Sequence, residues 1–128
     1  MDENTPLEGT KLQNFTPVDS IEELEIIDLT VGTGDIVSPG ATITAHYTGA
    51  LVHDGTIFQS SKDFGSPATF GLDQVIAGWA KGVPGMKVGG VRRLIIPAEM
   101  AYGAQSPAPN IPPHSDLVFD IELVKIES

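Results

Sequence analysis

Apolar positions begin to repeat with a period of two shortly after residue 24. Ile27, Leu29 and Val31 alternate with Asp28 and Thr30, the mark of a half-buried strand, and Gly32-Thr33-Gly34-Asp35 ends it. Past the turn Ser38-Pro39-Gly40, the β-branched and aromatic residues of 41–47 predict a second strand. Asp54-Gly55, between Leu51-Val52 and Ile57-Phe58, is a hairpin signal. A short extended run follows at 68–72. Residues 91–96 form another strand that Pro97 stops, with Arg92 and Arg93 expected to face outward or toward its edge. Leu117, Phe119, Ile121 and Leu123, alternating with Val118, Asp120, Glu122 and Val124, make the clearest strand of the chain.

One stretch changes period. Val75, Ile76, Trp79 and Val83 share a face at helical spacing over residues 74–82, with Asp73 placed as N-cap and Pro84 closing the run. Residues 103–116 are too rich in proline for regular structure and too apolar for a linker. Residues 1–18 show no periodicity, hold two prolines, and offer only Leu7, Leu12, Phe15 and Val18 for burial. The pattern predicts a disordered or loosely attached acidic arm over 1–20 and one domain over 21–128. The fold class is α+β: five or six short antiparallel strands in a twisted sheet, closed on one face by a single short helix.

Composition narrows the chemistry. With no cysteine among 128 residues, disulfides, a thiol nucleophile and Cys-ligated zinc are excluded. The formal charge of −10 argues against nucleic acid as partner, whose phosphates demand Lys and Arg. Nine acidic residues and Lys11 alone fall within 1–35, so the acidity is concentrated at the front and the body is near neutral. No apolar run reaches the length of a membrane span, and the first 20 residues lack the pattern of a signal peptide. The expectation is therefore a cytoplasmic monomer without a membrane partner, although a signal or anchor removed upstream of residue 1 would leave no trace.

No phosphate-cradling glycine loop, nucleophile elbow or H-E-x-x-H pair is present, and His46, His53 and His114 are scattered. The pattern calls for no metal or cofactor. Asn14-Phe15-Thr16 fits a glycosylation sequon but is too short a pattern to carry a function. The eight aromatic residues are more informative. Phe70 and Phe119 would serve an ordinary core. Trp79 on the inward helix face and Tyr102 in an apolar loop bring polar atoms that buried aromatics must satisfy, which is why binding pockets favour them.

The motifs Tyr47-Thr48-Gly49, Asp54-Gly55-Thr56-Ile57-Phe58, Val75-Ile76-Ala77-Gly78-Trp79, Gly85-Met86-Lys87-Val88-Gly89, Ala101-Tyr102-Gly103 and Ile111-Pro112-Pro113-His114 through Leu123 follow in this order. Together they resemble the FKBP-type peptidyl-prolyl cis–trans isomerases, of the small single-domain kind found in bacteria, over about four-fifths of the chain. The resemblance implies a twisted five- to six-stranded antiparallel half-barrel wrapped around one short helix, with a pocket between them. Trp79 would be the pocket floor. Tyr47, Phe58, Val75, Ile76 and Phe119 would be its walls. The Ile76 N–H and the Tyr102 hydroxyl would meet substrate carbonyls, and Ile111 would be a flap residue over the mouth. The implied partners are proline-containing polypeptides in protein folding, with rapamycin-type macrolides as inhibitors.

Three rim positions depart from the best-known eukaryotic members. Gln59 stands where an Asp is common, Phe64 where an Arg often partners that Asp, and Ala68 where a Phe sometimes lines the rim. The loop before the helix, Gly71-Leu72-Asp73-Gln74, is two residues shorter than theirs. Losing both charged partners together avoids stranding one unpaired charge. An isomerase is the first expectation. An FKBP-like module that holds a proline segment or macrolide with little or no turnover is the alternative that Gln59 and Phe64 keep open.

Overall fold

The computed structural model describes Leu7 and residues 9–12, 15–105, 107 and 109–127. Six strands, β1 (Glu25–Thr30), β2 (Thr42–Leu51), β3 (Ile57–Ser60), β4 (Ala68–Gly71), β5 (Val91–Ile96) and β6 (Leu117–Ile126), form one antiparallel sheet. The spatial order is β1-β5-β6-β2-β3, and β4 pairs with the first part of β2. The ten-residue β2 is paired with β6 over nearly its whole length and shares its other edge between β4 and β3. Among the described residues there is one α-helix, α1 (Ala77–Gly82), which packs against β5.

The helix sits unusually close to the sheet, and two glycines permit it. A methyl at Gly78 would fall 2.5 Å from two side-chain carbons of Ile96, and one at Gly82 would fall 2.6 Å from a Leu94 methyl. Gly78 and Gly82, four apart on the helix, thus face Leu94 and Ile96, two apart on β5. The core enclosed between helix and sheet contains Ile43, Leu72, Val83, Leu94, Leu117, Ile121 and Leu123, all essentially inaccessible, together with Trp79. A smaller apolar cluster of Ala50, Val52, Ile57 and Val118 packs on the opposite side of the sheet.

Three expectations are revised. Both faces of β1 are exposed rather than half-buried, because this edge strand pairs only with β5; Ile26, Ile27 and Leu29 are 41–47% accessible. The helix begins at Ala77, and Asp73 does not cap it. The Gln74 N–H bonds back to the Gly71 carbonyl in a turn, and Ile76 stays extended (φ −59°, ψ 153°) before its carbonyl accepts from Trp79 and Ala80. Arg92 and Arg93 are buried, at 9% and 6% exposure. Arg92 pairs with Asp28 (2.7 Å) and donates to the carbonyls of Gly82 (2.8 Å) and Pro84 (3.2 Å), so it closes the helix C-terminus. Arg93 makes a two-pronged pair with Asp120 (2.6 and 2.8 Å), which raises its pKa above the ordinary guanidinium value.

The described residues before β1 make contacts of their own with the sheet. Gly9 donates to the Ile57 carbonyl and the Ile57 N–H to Thr10, each at 2.8 Å, and Leu12 donates to Gly55 at 2.8 Å. Leu7, Leu12, Phe15 and Ile21 pack on the smaller apolar cluster, which would otherwise face water. The Arg93 guanidinium stands 5.7 Å from the centre of the Phe15 ring. Asn14 of the sequon lies outside the described residues.

Candidate active site

β2 carries Tyr47 and Gly49. Below Tyr47 the ladder with β4 ends, and above it the ladder with β3 begins. In the gap, the Tyr47 N–H donates to the Ser61 hydroxyl (2.8 Å), which also meets His46 Nδ1 at 2.9 Å. His46 is therefore a fastening between β2 and the 3-10 turn Ser61–Phe64. Ser60 caps that turn and bonds the Thr48 hydroxyl at 2.9 Å. These buried hydroxyls hold the Tyr47 backbone where sheet hydrogen bonds are missing.

Gly49 lies between Phe58 and Phe119, and a methyl there would fall within 2.6–2.9 Å of both rings. Its missing side chain lets the two rings meet edge to face at 5.7 Å. Phe119 in turn meets Trp79 at 5.4 Å and 83°. Phe70 at 4.9 Å and Tyr47 at 5.9 Å also meet the indole edge to face and are themselves 5.6 Å apart. Five rings from β2, β3, β4, α1 and β6 are thereby linked, with Trp79 central and only 4% exposed.

Tyr47, Phe70, Val75 and Ile76 are half-buried around it, so the cluster has an open side that Ile43 or Leu123 lacks. Burial raises the Tyr47 pKa above that of a free phenol, and the neighbouring Tyr102 hydroxyl adds to the rise. Tyr102 itself is 38% exposed. Ile111, from the proline-rich loop, is 6% exposed and packs into the same apolar cluster. Asn110 beside it donates from Nδ2 to the Phe58 carbonyl at 2.9 Å, which ties that loop to β3. Among the described residues the Ile76 N–H has no acceptor.

Of the expected site residues, Tyr47, Phe58, Trp79, Phe119, Val75, Ile76 and Ile111 therefore come together in one cluster, with Tyr102 close by. Gln59 is exposed on β3, and Ala68 is half-buried at the start of β4 opposite Ala45. Phe64 is 68% exposed at the end of the 3-10 turn and joins none of the ring contacts among the described residues. Phe70 is the ring that sequence reasoning assigned only to the core. Its signal was alternation within 68–72, which places Ala68 and Phe70 on the same face of the strand. Among the described residues no group of three or more His, Asp or Glu is placed to hold a metal ion, and no helix is long and apolar enough to cross a membrane.

This architecture, a six-stranded antiparallel sheet around one short helix with a ring of aromatics between them, has clear relatives. The sequence profile of the FKBP-type peptidyl-prolyl cis-trans isomerases matches residues 33–124. The chain is 50% identical over 105 residues to an FK506-binding protein of Neisseria meningitidis, covering 80% of this chain and 95% of that one. It is 50% identical over 92 residues to the peptidyl-prolyl cis-trans isomerase FPR2 of Saccharomyces cerevisiae, covering 70% of this chain and 68% of the other. Among solved structures, a peptidyl-prolyl cis-trans isomerase of Pseudomonas syringae superposes with a TM-score of 0.75 at 35% identity, covering 87% and 80% of the two chains. FkpA of Escherichia coli does so at 0.73 and 41%, covering 80% of this chain and 47% of FkpA. The chain belongs to the FKBP-type peptidyl-prolyl cis-trans isomerase family.

Proposed function

We propose that this protein accelerates rotation about X–Pro bonds by seating the proline ring on Trp79. The observation that carries the reading is the frame of Tyr47, Phe70 and Phe119 set edge-on around that nearly buried indole. Uncatalysed rotation faces a barrier of about 18–20 kcal/mol, because the twist interrupts amide resonance. No bond to the enzyme is required. Water stabilises the planar, polar amide more than the twisted one, so an apolar cup that excludes water lowers the relative energy of the transition state.

The Ile76 N–H and the Tyr102 hydroxyl hold the flanking substrate carbonyls, while Tyr47, Phe58, Val75, Ile76 and Phe119 enclose the ring. The residue before proline packs on Phe58 and Ile111, which favours a bulky apolar side chain such as Leu or Phe. Gln59, Phe64 and Ala68 form the rim, where Gln59 offers size and a hydrogen bond without charge. The partners under this reading are proline-containing chains during folding, with rapamycin-type macrolides as competitors for the same cup and neither nucleic acid nor membrane as partner. The protein would act as a cytoplasmic monomer without a cofactor.

The test is a protease-free cis–trans exchange measurement on Leu-Pro and Phe-Pro peptides, with and without rapamycin. Catalysed exchange that the macrolide abolishes is expected. Macrolide binding without catalysis would favour the binding module instead, because Gln59 supplies no carboxylate at the rim. Gln59→Asp would then be the variant that restores turnover.

A further inference from the structure

We propose that residues 7, 9–12 and 15–21 act as a strap that fixes the position of the Phe58 wall and so sets the preference for the residue before proline; this rests on the isomerase reading above. β3 is only four residues long and pairs with β2 through three residues, across a bulge at Gly49/Ala50. A strand this short, at the end of a sheet, would leave its outer backbone groups to water and its side chains loosely set. Here the outer edge is occupied at its start, Ile57, and at Thr56 just before it.

Ile57, immediately before Phe58, both receives a hydrogen bond from Gly9 and donates one to Thr10, each at 2.8 Å. Lys11 bridges Thr56 through the backbone and again from Nζ to the Thr56 hydroxyl at 2.8 Å. The Leu7 N–H reaches Asp63 Oδ1 of the 3-10 turn at 2.8 Å, on the other side of Phe58. The strap's far end is held by Val18 donating to Val52 and by the Ile21 N–H on Asp116 Oδ2 at 3.0 Å. Asp116 also accepts from the Ala98 N–H at 2.8 Å, at the start of the loop that carries Tyr102. The strap therefore holds the strand on one side of Phe58 and the turn on the other, while Asn110 holds the Phe58 carbonyl. A side chain that must complement the residue before proline is fixed from outside the pocket.

Gly9 gives a clean lesion. It is exposed, has open space around it and sits at φ +89°, a left-handed conformation that proline cannot adopt. Gly9→Pro removes the donor to Ile57 and the required backbone angle together. Gly9→Asn keeps the N–H and tolerates positive φ, so it is the conservative control. In the full chain, Gly9→Pro is expected to speed exchange of the Ile57 amide by about tenfold or more. At a temperature where both variants stay folded, kcat/KM for a Leu-Pro peptide should fall about fivefold, against less than about twofold for Ala-Pro. Gly9→Asn, strained at this angle but keeping the N–H, should stay within about twofold of the parent protein in all three.

Faster Ile57 exchange with an unchanged Leu-Pro to Ala-Pro ratio would overturn the proposal, since the strap would then be structural only. Unchanged Ile57 exchange would overturn it as well. Absence of turnover in the parent protein defeats the isomerase reading instead. The strap is then judged by rapamycin affinity, which should drop in Gly9→Pro and not in Gly9→Asn, and equal affinity would overturn it.

Discussion

Replacing Gly78 by alanine should destabilise the protein, although alanine is the better helix former. The added methyl would lie 2.5 Å from Cδ1 and Cγ2 of Ile96 and 2.7 Å from its Cγ1. Carbon atoms rest at about 3.5–4.0 Å, so the overlap is about 1 Å against three atoms of one side chain. Ile96 is fully buried in β5 and has no free direction in which to turn. The propensity gain of Gly→Ala is about 0.8–1.0 kcal/mol in a helix interior and so an upper bound for Gly78 in the first turn, while overpacking costs typically about 1–3 kcal/mol. With this depth of overlap the cost should dominate, leaving a net loss of about 1–2 kcal/mol. Urea unfolding followed through the single tryptophan, Trp79, measures it directly. The pair Gly78→Ala and Ile96→Ala completes the cycle: the double variant should be more stable than the sum of the singles by about 1 kcal/mol or more, because the new methyl occupies vacated space. A neutral or stabilised Gly78→Ala would refute the claim that helix and sheet are held at glycine distance, and with it the account of how Trp79 reaches the site.

Further outcomes follow from other contacts. Trp79→Leu should fold while losing about 2–4 kcal/mol, since three edge-to-face partners and much buried area go with the indole; its rapamycin affinity, measured by calorimetry, should fall about tenfold or more, and unchanged affinity would place the site elsewhere. Arg92→Met should cost about 1–3 kcal/mol because the Gly82 and Pro84 carbonyls lose their donor, whereas Asp28→Asn at the exposed end of the pair should cost about 0–1 kcal/mol; equal losses in denaturant titrations would contradict this asymmetry. The raised pKa of Tyr47 gives a stability contribution fully present below the phenol's unfolded value near 10.0 and lost as pH rises through the higher folded value. Thermal unfolding across alkaline pH should therefore show a smaller decline in Tyr47→Phe than in the parent, and identical slopes would dismiss that residue as the source.

The strands of the domain were legible in the sequence where a single neighbour rule decides them. Alternation located β6, the run stopped by Pro97 located β5, and Asp54-Gly55 located the hairpin; Gly55 indeed takes φ +77°, and Asp54 Oδ1 accepts from the Thr56 N–H at 2.8 Å. The helix start was not legible, because Leu72 is held to the Ala41 carbonyl, distant in sequence, and the chain stays extended at Ile76, so helical backbone begins only at Ala77. The same holds for Arg92, whose strand position says nothing about the helix end that arrives above it.

The aromatic residues, their order and their types are set by the chain alone, and so is the absence of any thiol chemistry. Which rings meet depends on distances between elements far apart in sequence. Phe70 joins Trp79 and Tyr47 because β4 pairs with β2, and Phe58 meets Phe119 because Gly49 leaves room between them. The arm follows the same logic. Its few apolar residues are too sparse to predict order, since no local period links Leu7, Leu12 and Phe15. The complementary surface of Ala50, Val52, Ile57 and Val118 exists only once β2, β3 and β6 are assembled. Local pattern determines which elements form, because backbone hydrogen bonding and periodic burial act between near neighbours. Only the folded chain decides what each element covers, because that depends on surfaces the sequence brings together from a distance.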